Sequence, residues 1–574
     1  MRLRRGGITL PSLAAGAAIA LSLPPWGWWP LAFFGAGLLY WRLDGLPLGS
    51  RVLAGWVAGL GCFVPGLWWA QSFTWYGAAT LMAVEALSMA LAAGSVPRTR
   101  GRFPAFVGAF TLLEALRMGW PFGGLPIGGV FLGQAGGPLL GTARLGGPLL
   151  LTAMVWAAGA AGGSLAVVAA RRIGSVGGTR TGPRRWPVAA LLPALGMVAA
   201  LVAVTVGADH APDGGRAIRY LRVAAVQGGG PRGLSDREVS PATVFARQLA
   251  AARGLRGTAG PSLVIWPEDV IALAGPPGPA PARAGSGWFA PPGALGTMGD
   301  LARRLHATVV AGVTFRVSDR AFRNEVVVWG PGGTVAATFE KVHRVPFGEY
   351  VPERGFFRHL ADLSGVPLDA IPGHGTGLVR TPAGPLGLLV SYEVFYANRS
   401  RSSVRAGAQV LVVPTNTSSY ATGQVPAQEV AADEVQAVES GRDLVQAAPT
   451  GYSTLVDPRG RLVRRSTLGQ PAVLRGVVGL RVGRTLYVRF GDVPVLVMAA
   501  LALSGGWAAA GRRRRAPVEA PVRGRAGALT RSSPSGYRRR GSPRPRTWRG
   551  STDRPPRPGG GRSRSPSAPP PRPS

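Results

Sequence analysis

The chain has 574 residues, with 64 Lys and Arg against 27 Asp and Glu, a formal net charge of +37 and a single cysteine. This length is too great for one compact domain and predicts at least two folded units. Charged residues make up only 16% of the chain and the mean hydropathy is +0.18, which argues against an ordinary soluble enzyme and favours membrane-spanning segments. One cysteine excludes an intramolecular disulfide, a paired-cysteine redox site and a thiolate zinc cluster.

Long uncharged runs predict a bundle of seven membrane helices over residues 1–208. Residues 6–41 are 36 uncharged residues and residues 52–84 are 33, whereas one span needs about 20 apolar residues. With the later apolar segments, eight spans are expected: two within 6–41, two within 52–96, and one each at 104–120, 145–170, 187–208 and 491–511. The Gly/Pro-rich stretch 118–143 is expected to be a loop at membrane depth. Residues 1–23 are interpreted as a retained first helix rather than a cleaved signal peptide.

Arginines are concentrated at the N-terminus and in alternate loops of this predicted bundle. The N-terminus and the loops after spans two, four and six carry them, while the loops after spans one and three carry none. The positive-inside rule then places the N-terminus and the even-numbered loops in the cytoplasm. Seven spans put residues 209–490 on the extracytoplasmic side, and the eighth returns the chain to the cytoplasm at Arg512. The prediction is a multi-pass protein with both termini in the cytoplasm.

The C-terminal tail, residues 512–574, explains much of the net charge. It holds 18 arginines and only Glu519 and Asp553 as acids, so it supplies +16 of the +37. Its richness in Ser, Pro and Gly predicts disorder. A solvated arm close to anionic lipid on the cytoplasmic face is the favoured interpretation. A nucleic-acid-binding tail is the alternative, but no nucleic-acid partner is expected.

Residues 209–490 alternate between strand and helix patterns, which predicts an α/β layered domain with a core of its own. Strands are expected at 219–227, 262–266, 307–317, 325–339 (with a turn at 330–333), 386–392, 409–414 and 444–457. Helices are expected at 237–254, 297–305, 394–406 and 425–441, the last with Val430, Val435 and Val438 on one apolar face. The chemistry is expected at strand ends and in the loops that follow them.

Three polar sites follow apolar strands: Glu268 in Trp-Pro-Glu, the run 340–350, and Ser391 in Ser-Tyr-Glu. Taken singly, each also fits a loop carboxylate, a solvated charge run or a strand-capping serine. Lysine usage singles out the second site, because 63 of the 64 basic residues are Arg and Lys341 is the only lysine. A compact ammonium differs from a planar guanidinium when it must contact one developing oxyanion in a tight pocket. Lys341 is therefore a candidate catalytic cation.

The order of these motifs resembles that of the bacterial apolipoprotein N-acyltransferases. The carriers are WPE at 266–268, EKVHRVPFGEYVP at 340–352, SYE at 391–393, VPTNTS at 413–418 and ESGRDLVQAAPTGYSTLVDPRG at 439–460. The sequence LEALR at 113–117 and the placement of the domain between the seventh and eighth spans resemble the family as well. The resemblance covers about residues 1–511, and it implies a nitrilase-like αββα sandwich carried by a helical membrane bundle.

The resemblance implies a Glu-Lys-Cys triad that takes an acyl chain from a phospholipid and passes it to a lipoprotein's lipidated N-terminal cysteine. Carried over by motif, Glu268 is the general base and Lys341 the cation that stabilises the oxyanion. Glu349 and Glu393 are supporting carboxylates that hold the lysine and tune proton transfer. The nucleophile position falls on Ser391, where the family has cysteine.

The same resemblance implies the partners and the location. The expected partners are a phospholipid acyl donor, diacylglyceryl-modified apolipoproteins and membrane lipids, and no cofactor or metal is expected. The expected location is the inner membrane of a bacterium, with the catalytic domain on the extracytoplasmic face. Aromatic pairs at 288–289 and 356–357 are expected either to dip into the membrane interface or to anchor their loops locally.

A serine at the nucleophile position needs more help from a general base than a cysteine does. A thiol has a pKa of about 8.5, whereas an alcohol is a far weaker acid and needs a well-aligned base. Cys62, in the predicted third span, is expected only to pack, and His343 is expected to be a solvated loop residue rather than a substitute base. Three outcomes stay open: a working serine ester, slow residual transfer, or an inactive paralogue that binds lipid or lipoprotein. A nitrilase-like amidase is disfavoured, because that chemistry does not need eight spans.

Overall fold

In the part of the chain that the structure describes, eight helices lie at the positions of the predicted spans. The computed structural model describes residues 3–173, 188–231, 239–257, 260–276, 290–291, 293–420 and 423–511, so the predicted disordered tail and the aromatic pair at 288–289 lie outside the described residues. The helices are α1 Leu3–Ser22, α2 Pro30–Arg42, α3 Leu48–Gly66, α4 Trp75–Ser95, α5 Arg102–Gly119, α6 Ala143–Ile173, α7 Val188–His210 and a last helix, Val493–Gly511.

Four of the described helical segments are long and apolar enough to cross a membrane: Leu48–Gly66, Trp75–Ser95, Leu140–Ala166 and Val493–Gly511. Shorter apolar helical segments lie at Thr9–Ser22 and Leu195–His210. Helix α2 has 13 residues, which is about 20 Å of helix against a hydrocarbon core of about 30 Å. The helices are therefore where the sequence placed them, while the number that cross the membrane and their orientation remain predictions.

Small residues let the helices of the bundle approach closely. A Cβ atom at Gly16 on α1 would lie 1.8 Å from the carbonyl oxygen of Ala58 on α3, so no larger side chain fits there. Such contacts between small residues are typical of helix pairs in membranes. Cys62 is fully buried in the same bundle, which agrees with its expected packing role.

The stretch between α5 and α6 is irregular, as predicted, but it is largely buried. It contains two short 3-10 turns, Val130–Gln134 and Leu140–Thr142. Arg117 at the end of α5 forms ion pairs with Glu114 at 2.8 Å and Glu85 at 3.2 Å. The same guanidinium donates to the carbonyl of Ile127 at 3.2 Å. A buried and paired arginine thus ties this stretch to the bundle.

The α/β domain follows α7. Its helices are α8 Pro241–Ala252, α9 Ala294–Leu305, α10 Arg354–Phe357, α11 Ala397–Ala406, α12 Gln424–Ser440 and α13 Leu486–Phe490, so the last helix, Val493–Gly511, is α14. Its strands are β1 Arg219–Gln227, β2 Leu263–Ile265, β3 Ile271–Leu273, β4 Thr308–Ser318, β5 Ala321–Trp329, β6 Val335–Glu340, β7 Asp369–Ala370, β8 Leu378–Thr381, β9 Gly384–Leu388, β10 Val410–Pro414, β11 Leu444–Ala447, β12 Thr454–Val456, β13 Leu462–Arg465 and β14 Ala472–Leu480.

The strands form two mixed sheets that pack face to face. The first has the order β14-β1-β2-β4-β5-β6, with β3 beside β4 and β7 beside β5, and the second has the order β13-β12-β11-β10-β9-β8. Strands β1, β2 and β4 are parallel neighbours in the first sheet, and β9, β10 and β11 are parallel in the second. The core between the sheets includes Val223, Ile265, Val310, Leu388 and Val412.

Helices cover the outer faces of both sheets. Phe245 on α8 and Met298 on α9 pack with Val309 of the first sheet. On the other side, Val404 on α11 and Val435 on α12 belong to a cluster that continues into the membrane bundle. The layer order is therefore the predicted αββα sandwich, with its second helical layer against the bundle.

Two expectations about the strands of this domain are wrong. The strand expected at 386–392 ends at Leu388, because residues 391–395 form a 3-10 turn. The strand expected at 444–457 is two antiparallel strands, β11 and β12. The three valines of helix α12 are buried as expected, but polar residues of the same helix, Gln428, Glu429 and Asp433, are buried as well. The helix lies between a sheet and the bundle, so both of its sides are covered. The sequence also did not predict β3, β7, β8, β13 and β14.

Candidate active site

Lys341 directly follows β6 and is buried, with 2% of its side chain exposed. Its backbone N–H donates to the carbonyl of Asn324 on β5 at 2.9 Å. Its Nζ donates to Glu268 Oε1 at 2.9 Å and to Glu349 Oε1 at 2.6 Å. Burial alone would lower the pKa of Lys341, but the two carboxylates outweigh burial and hold this pKa above its ordinary value. The ammonium therefore stays charged inside the pocket.

Glu268 follows β2, at the edge where the parallel strands of the first sheet end. Its Oε1 also accepts a hydrogen bond from Asn324 Nδ2 at 2.8 Å. The backbone passes close to β4 here, because Gly312 N–H donates to the Pro267 carbonyl at 2.9 Å. A Cβ atom at Gly312 would lie 2.4 Å from the Cα of Glu268. A glycine at this position is therefore needed to bring the carboxylate to the lysine.

Glu349 completes the surroundings of the ammonium. It lies on the loop after β6, with 18% of its side chain exposed, and its Oε2 accepts from the backbone N–H of Val345 at 2.9 Å. Burial raises the pKa of Glu349, Lys341 opposes this change, and the nearby Glu268 adds to it. Two carboxylates therefore share one ammonium in this pocket.

Ser391 lies on a sharp turn beyond β9. Its φ angle is +51°, a left-handed conformation that residues other than glycine adopt rarely and at an energetic cost. Among the described residues, its Oγ has one hydrogen-bond partner, Thr415 Oγ1 at 3.2 Å. No hydrogen bond joins Ser391 to Glu268 or Lys341 within the described part of the chain. The predicted nucleophile thus has a threonine as its direct neighbour.

Glu393 links the Ser391 turn to the loop that follows Lys341. Its Oε1 accepts from the backbone N–H groups of residues 342 and 343 at 3.0 and 3.1 Å, and its Oε2 accepts from that of residue 390 at 2.9 Å. Arg399 lies 3.2 Å from the carboxylate and pairs with its charge. The expectation that Glu393 holds the lysine needs a correction. It binds the backbone beside Lys341, not Nζ, so it sets the spacing between the two loops.

Comparison with known proteins covers both the bundle and the domain. Residues 15–161 match the family model of the apolipoprotein N-acyltransferase N-terminal domain, and residues 222–477 match that of the carbon-nitrogen hydrolases. The apolipoprotein N-acyltransferase of Mycolicibacterium smegmatis is 30% identical over 537 residues, which covers 86% of this chain and 84% of that protein. The chain belongs to the apolipoprotein N-acyltransferase family. The Pseudomonas aeruginosa (strain LESB58) relative is 31% identical over 535 residues, 88% of this chain and 96% of that one.

Among solved structures, an amidase from Nesterenkonia sp. AN1 is 21% identical, with a TM-score of 0.34, and covers 48% of this chain and 98% of that chain. As a member of the N-acyltransferase family, the protein is an acyltransferase with a carbon-nitrogen hydrolase domain.

In this N-acyltransferase, helix α12 docks the catalytic domain onto the bundle. Gln424 and Gln428 both donate from Nε2 to the carbonyl of Gly66, at the end of α3, at 3.1 Å. Gln428 Oε1 also accepts from the backbone N–H of Gly128 at 2.9 Å. Amide side chains satisfy backbone groups where α3 ends and in the irregular stretch, so the first turns of α12 are buried although they are polar.

The turn that carries Ser391 also contacts the bundle. The hydroxyls of Tyr392 and Tyr396 donate to the carbonyl of Gly124 at 3.0 and 3.1 Å. These tyrosines lie one and five residues after Ser391, so the nucleophile position is joined directly to the irregular stretch between α5 and α6. This contact could not be predicted from either segment alone.

An aromatic cluster lies where the domain loops meet the same stretch. Phe122 from the bundle contacts Phe347 and Phe357 from the domain, with ring centroids 6.0 and 6.2 Å apart. Phe356 packs on Phe357 at 5.3 Å and is 62% exposed. Phe357 is therefore a local anchor, whereas most of the Phe356 side chain is exposed.

His343 is less solvated than expected. Its ring stacks on Tyr396 with centroids 4.3 Å apart, and 25% of its side chain is exposed. Burial lowers the pKa of His343, so the ring is neutral at pH 7. Its Nδ1 lies 3.9 Å from Glu393. In the described part of the chain it has no hydrogen bond to Ser391, which argues against His343 as the substitute base.

Three site residues were missed from the sequence. Asn324 is a polar residue in the partly apolar strand β5, and this change of polarity is the signal in the sequence that could have indicated a site residue. Thr415 lies inside the VPTNTS motif, whose sequence alone does not indicate a role for it. Glu429 is 1% exposed, and its Oε1 is hydrogen-bonded to Thr415 Oγ1. Burial raises the pKa of Glu429 to about 8. The signal for Glu429 in the sequence is a carboxylate one residue before Val430 in a helix whose valines predict an apolar face.

Proposed function

We propose that this protein moves an acyl chain from a phospholipid to the α-amino group of the S-diacylglyceryl cysteine at the N-terminus of apolipoproteins, through an acyl ester on Ser391. The observation that carries the proposal is the buried Lys341 ammonium, held by Glu268 and Glu349 at 2.9 and 2.6 Å in a chain of the N-acyltransferase family. A cation fixed in a pocket of low dielectric constant stabilises an oxyanion without reorganisation at the moment of reaction.

In the first half-reaction, Ser391 Oγ attacks the carbonyl carbon of a phospholipid ester. A tetrahedral intermediate forms, and Lys341 stabilises its negative oxygen. The bond to the glycerol oxygen then breaks, so a lysophospholipid leaves and the acyl chain stays on Ser391. The proton of the serine hydroxyl ends on the departing glycerol oxygen.

In the second half-reaction, the lipoprotein amine attacks the serine ester. Glu268, the proposed general base, accepts a proton from the amine and passes it to Ser391 Oγ as the ester bond breaks. An amide is formed and the serine hydroxyl is restored. Glu349 keeps the ammonium in place, and Glu393 keeps the two loops in register through its backbone contacts.

The contacts with the bundle support a lipid as the acyl donor. The tyrosine pair after Ser391 binds the stretch between α5 and α6, and exposed aromatic side chains such as Phe356 lie at the same junction. Aromatic rings are favoured at membrane interfaces. We therefore infer that the acyl chain reaches Ser391 from the bilayer along this junction.

We further infer that the chain crosses the inner membrane of a bacterium about eight times, that residues 209–490 are extracytoplasmic, and that both termini are cytoplasmic. Single cysteines test this topology in a Cys62→Ala background, at Asp319 on the β4–β5 turn and at Arg100 between α4 and α5, both of which are exposed. A membrane-impermeant maleimide added to cells whose inner membrane is accessible should label Asp319→Cys only. Labelling of Arg100→Cys alone would reverse the orientation.

The activity is tested with purified full-length protein and a phospholipid that carries a labelled acyl chain. Mass spectrometry should find the label on the Ser391 peptide, and on a diacylglyceryl lipopeptide once this acceptor is added. Both signals should be lost in Ser391→Ala. Full activity of Ser391→Ala would refute the nucleophile assignment. Activity in Ser391→Cys but not in the wild type would instead identify an inactive paralogue that binds lipid or lipoprotein.

A further inference from the structure

A line of hydroxyl and carboxyl groups connects Ser391 to helix α12. Ser391 Oγ and Thr415 Oγ1 are 3.2 Å apart, and Thr415 Oγ1 is also hydrogen-bonded to Glu429 Oε1. Thr415 follows β10 directly and is fully buried, as is Glu429 at 1% exposure. The function proposed above gives neither Thr415 nor Glu429 a role.

The Thr415 hydroxyl makes both contacts but has only one proton to donate. When Glu429 is a carboxylate, this proton goes to Glu429, and Thr415 can then only accept a hydrogen bond from Ser391. When Glu429 is protonated, it donates to Thr415, and Thr415 donates to Ser391. The protonation state of Glu429 therefore sets the direction of both hydrogen bonds.

The surroundings of Glu429 suit a proton acceptor. Burial raises the pKa of Glu429 to about 8, while the Thr415 hydrogen bond lowers it, Glu268 raises it and Lys341 lowers it. Its Oε2 has no hydrogen-bond partner among the described residues. General bases work best when their pKa lies close to the working pH. A buried carboxyl with this pKa is a stronger base than an exposed glutamate, as an alcohol nucleophile requires.

Glu268 is placed differently with respect to Ser391. Its Oε1 is already bound by Lys341 Nζ and Asn324 Nδ2 at 2.9 and 2.8 Å. Its hydrogen bonds in the described part of the chain do not include Ser391. The site therefore contains two carboxyl groups in different positions, one beside the ammonium and one connected to the serine.

We propose that Glu429, acting through Thr415, accepts the proton of Ser391 when the serine attacks the phospholipid ester; this step rests on the function proposed above. As the bond from Oγ to the carbonyl carbon forms, the serine proton moves to Thr415 Oγ1 and the Thr415 proton moves to Glu429. As the bond to the glycerol oxygen breaks, a proton returns along the same path to that oxygen. Glu268 remains the base for the amine. Thr415 touches the reacting atom, and Glu429 is a positioning residue behind it.

This relay matters for an alcohol and much less for a thiol. A thiol with a pKa of about 8.5 is partly ionised at neutral pH without help. Dependence on Glu429 should therefore be strong with Ser391 and weak with Ser391→Cys. A purely structural role of Glu429 would affect both nucleophiles equally.

The test measures how fast residue 391 acquires a ¹³C-labelled acyl chain from a diacyl phospholipid in detergent micelles, by quenched-flow mass spectrometry of the full-length protein. Glu429→Gln and Thr415→Val should each slow the wild-type reaction about 10²- to 10⁴-fold. In the Ser391→Cys background, Glu429→Gln should slow it less than about 5-fold. Because Glu429 must be ionised to accept a proton, the wild-type rate should rise with pH through about 8, and Glu429→Gln should abolish this rise.

Two control variants test whether the effect on the rate is specific to Glu429. The groups facing Glu429 are Thr415, Glu268, Lys341, Tyr420 and, on its own helix, Asp433. Asp433→Asn should leave the pH midpoint unchanged. Glu439→Gln is a matched control, because Glu439 is fully buried on the same helix and is bonded to Ser400 at 3.0 Å; it should keep the wild-type rate.

Three results would overturn the relay. They are an unchanged rate in Glu429→Gln, a pH midpoint that persists in Glu429→Gln, or equal losses with the serine and the cysteine nucleophile. Absence of any adduct on Ser391 in the wild type would refute the proposed function and the relay together. A normal wild-type adduct with an unaffected Glu429→Gln variant would refute the relay alone.

Discussion

Replacing Lys341 by methionine removes the cation held between two buried carboxylates. At the observed distances of 2.6 and 2.9 Å, each ion pair contributes about 6 kcal/mol of direct attraction at an effective dielectric constant of 20, before desolvation. Loss of one partner from a buried pair costs about 3–5 kcal/mol of stability. Loss of the group facing the oxyanion should slow acyl transfer about 10²- to 10³-fold. Lys341→Met should therefore lower both the activity and the apparent Tm.

The loss of stability in Lys341→Met should depend on pH. Without the ammonium, Glu349 shares a buried pocket with the like charge of Glu268, so the pKa of Glu349, which burial already raises, rises further above its ordinary value. A carboxyl with a raised folded pKa stabilises the fold below its unfolded pKa, and this contribution is lost as the pH rises through the folded pKa. The variant should be close to the wild type at pH 5 and lower in Tm by roughly 6–20 °C at pH 8.

Differential scanning fluorimetry in detergent at pH 5, 6.5 and 8 measures this prediction. Arg323→Met is the matched control, because Arg323 pairs with Glu340 at a more exposed position, where an ion pair contributes about 0–1 kcal/mol. Its Tm should change by no more than about 4 °C at any pH. An equal loss of Tm by Lys341→Met at all three pH values would refute the argument that a buried carboxyl takes up a proton in this variant. Wild-type acyl transfer by this variant would refute the oxyanion role.

Three further predictions concern neighbouring positions. Gly312→Ala places a Cβ atom 2.4 Å from the Cα of Glu268, so overpacking of about 1–3 kcal/mol should lower the Tm and reduce acyl transfer; a variant with normal activity would show that the carboxylate tolerates displacement. His343→Gln should change acyl transfer less than about 3-fold and leave its pH profile unaltered, since burial already lowers the pKa of His343; a 100-fold loss would make it a catalytic group. Phe356→Ser should reduce labelling by a photoactivatable phospholipid while the Tm is kept, because Phe356 is 62% exposed; unchanged labelling would count against a lipid-contacting loop.

Most of the fold could be predicted because its signals are local. Uncharged runs predict the eight helices described in the bundle within a few residues of their bounds, except that α2 is shorter than a full span. The strand Arg219–Gln227 was predicted residue for residue. Strands such as β7, with two residues, are too short to show a sequence pattern. Whether such a segment forms a strand depends on its pairing with a neighbouring strand. The sequence of helix α12 does not show that its polar side is buried too, because this burial depends on the bundle.

The site was only partly predictable, for a related reason. Glu268, Lys341 and Ser391 lie in short motifs at strand ends, and such motifs can be recognised directly in the sequence. Asn324 is hydrogen-bonded to Glu268, which is 56 residues away in the sequence, and Ser391 to Thr415, which is 24 residues away. No pattern in either segment predicts such a contact, since it arises only when strands remote in sequence are assembled into one sheet.

The sequence by itself determined the membrane bundle, the layered domain between its last two helices and the residue types at the ends of the key strands. These features follow from hydrophobic periodicity and from motifs a few residues long. Only the tertiary structure decided which polar groups surround each site residue. It gave Lys341 two carboxylates, and it gave Ser391 a threonine backed by Glu429. The physical reason is that a buried charge or hydroxyl acts through its nearest partners, and the packing of remote segments brings those partners together.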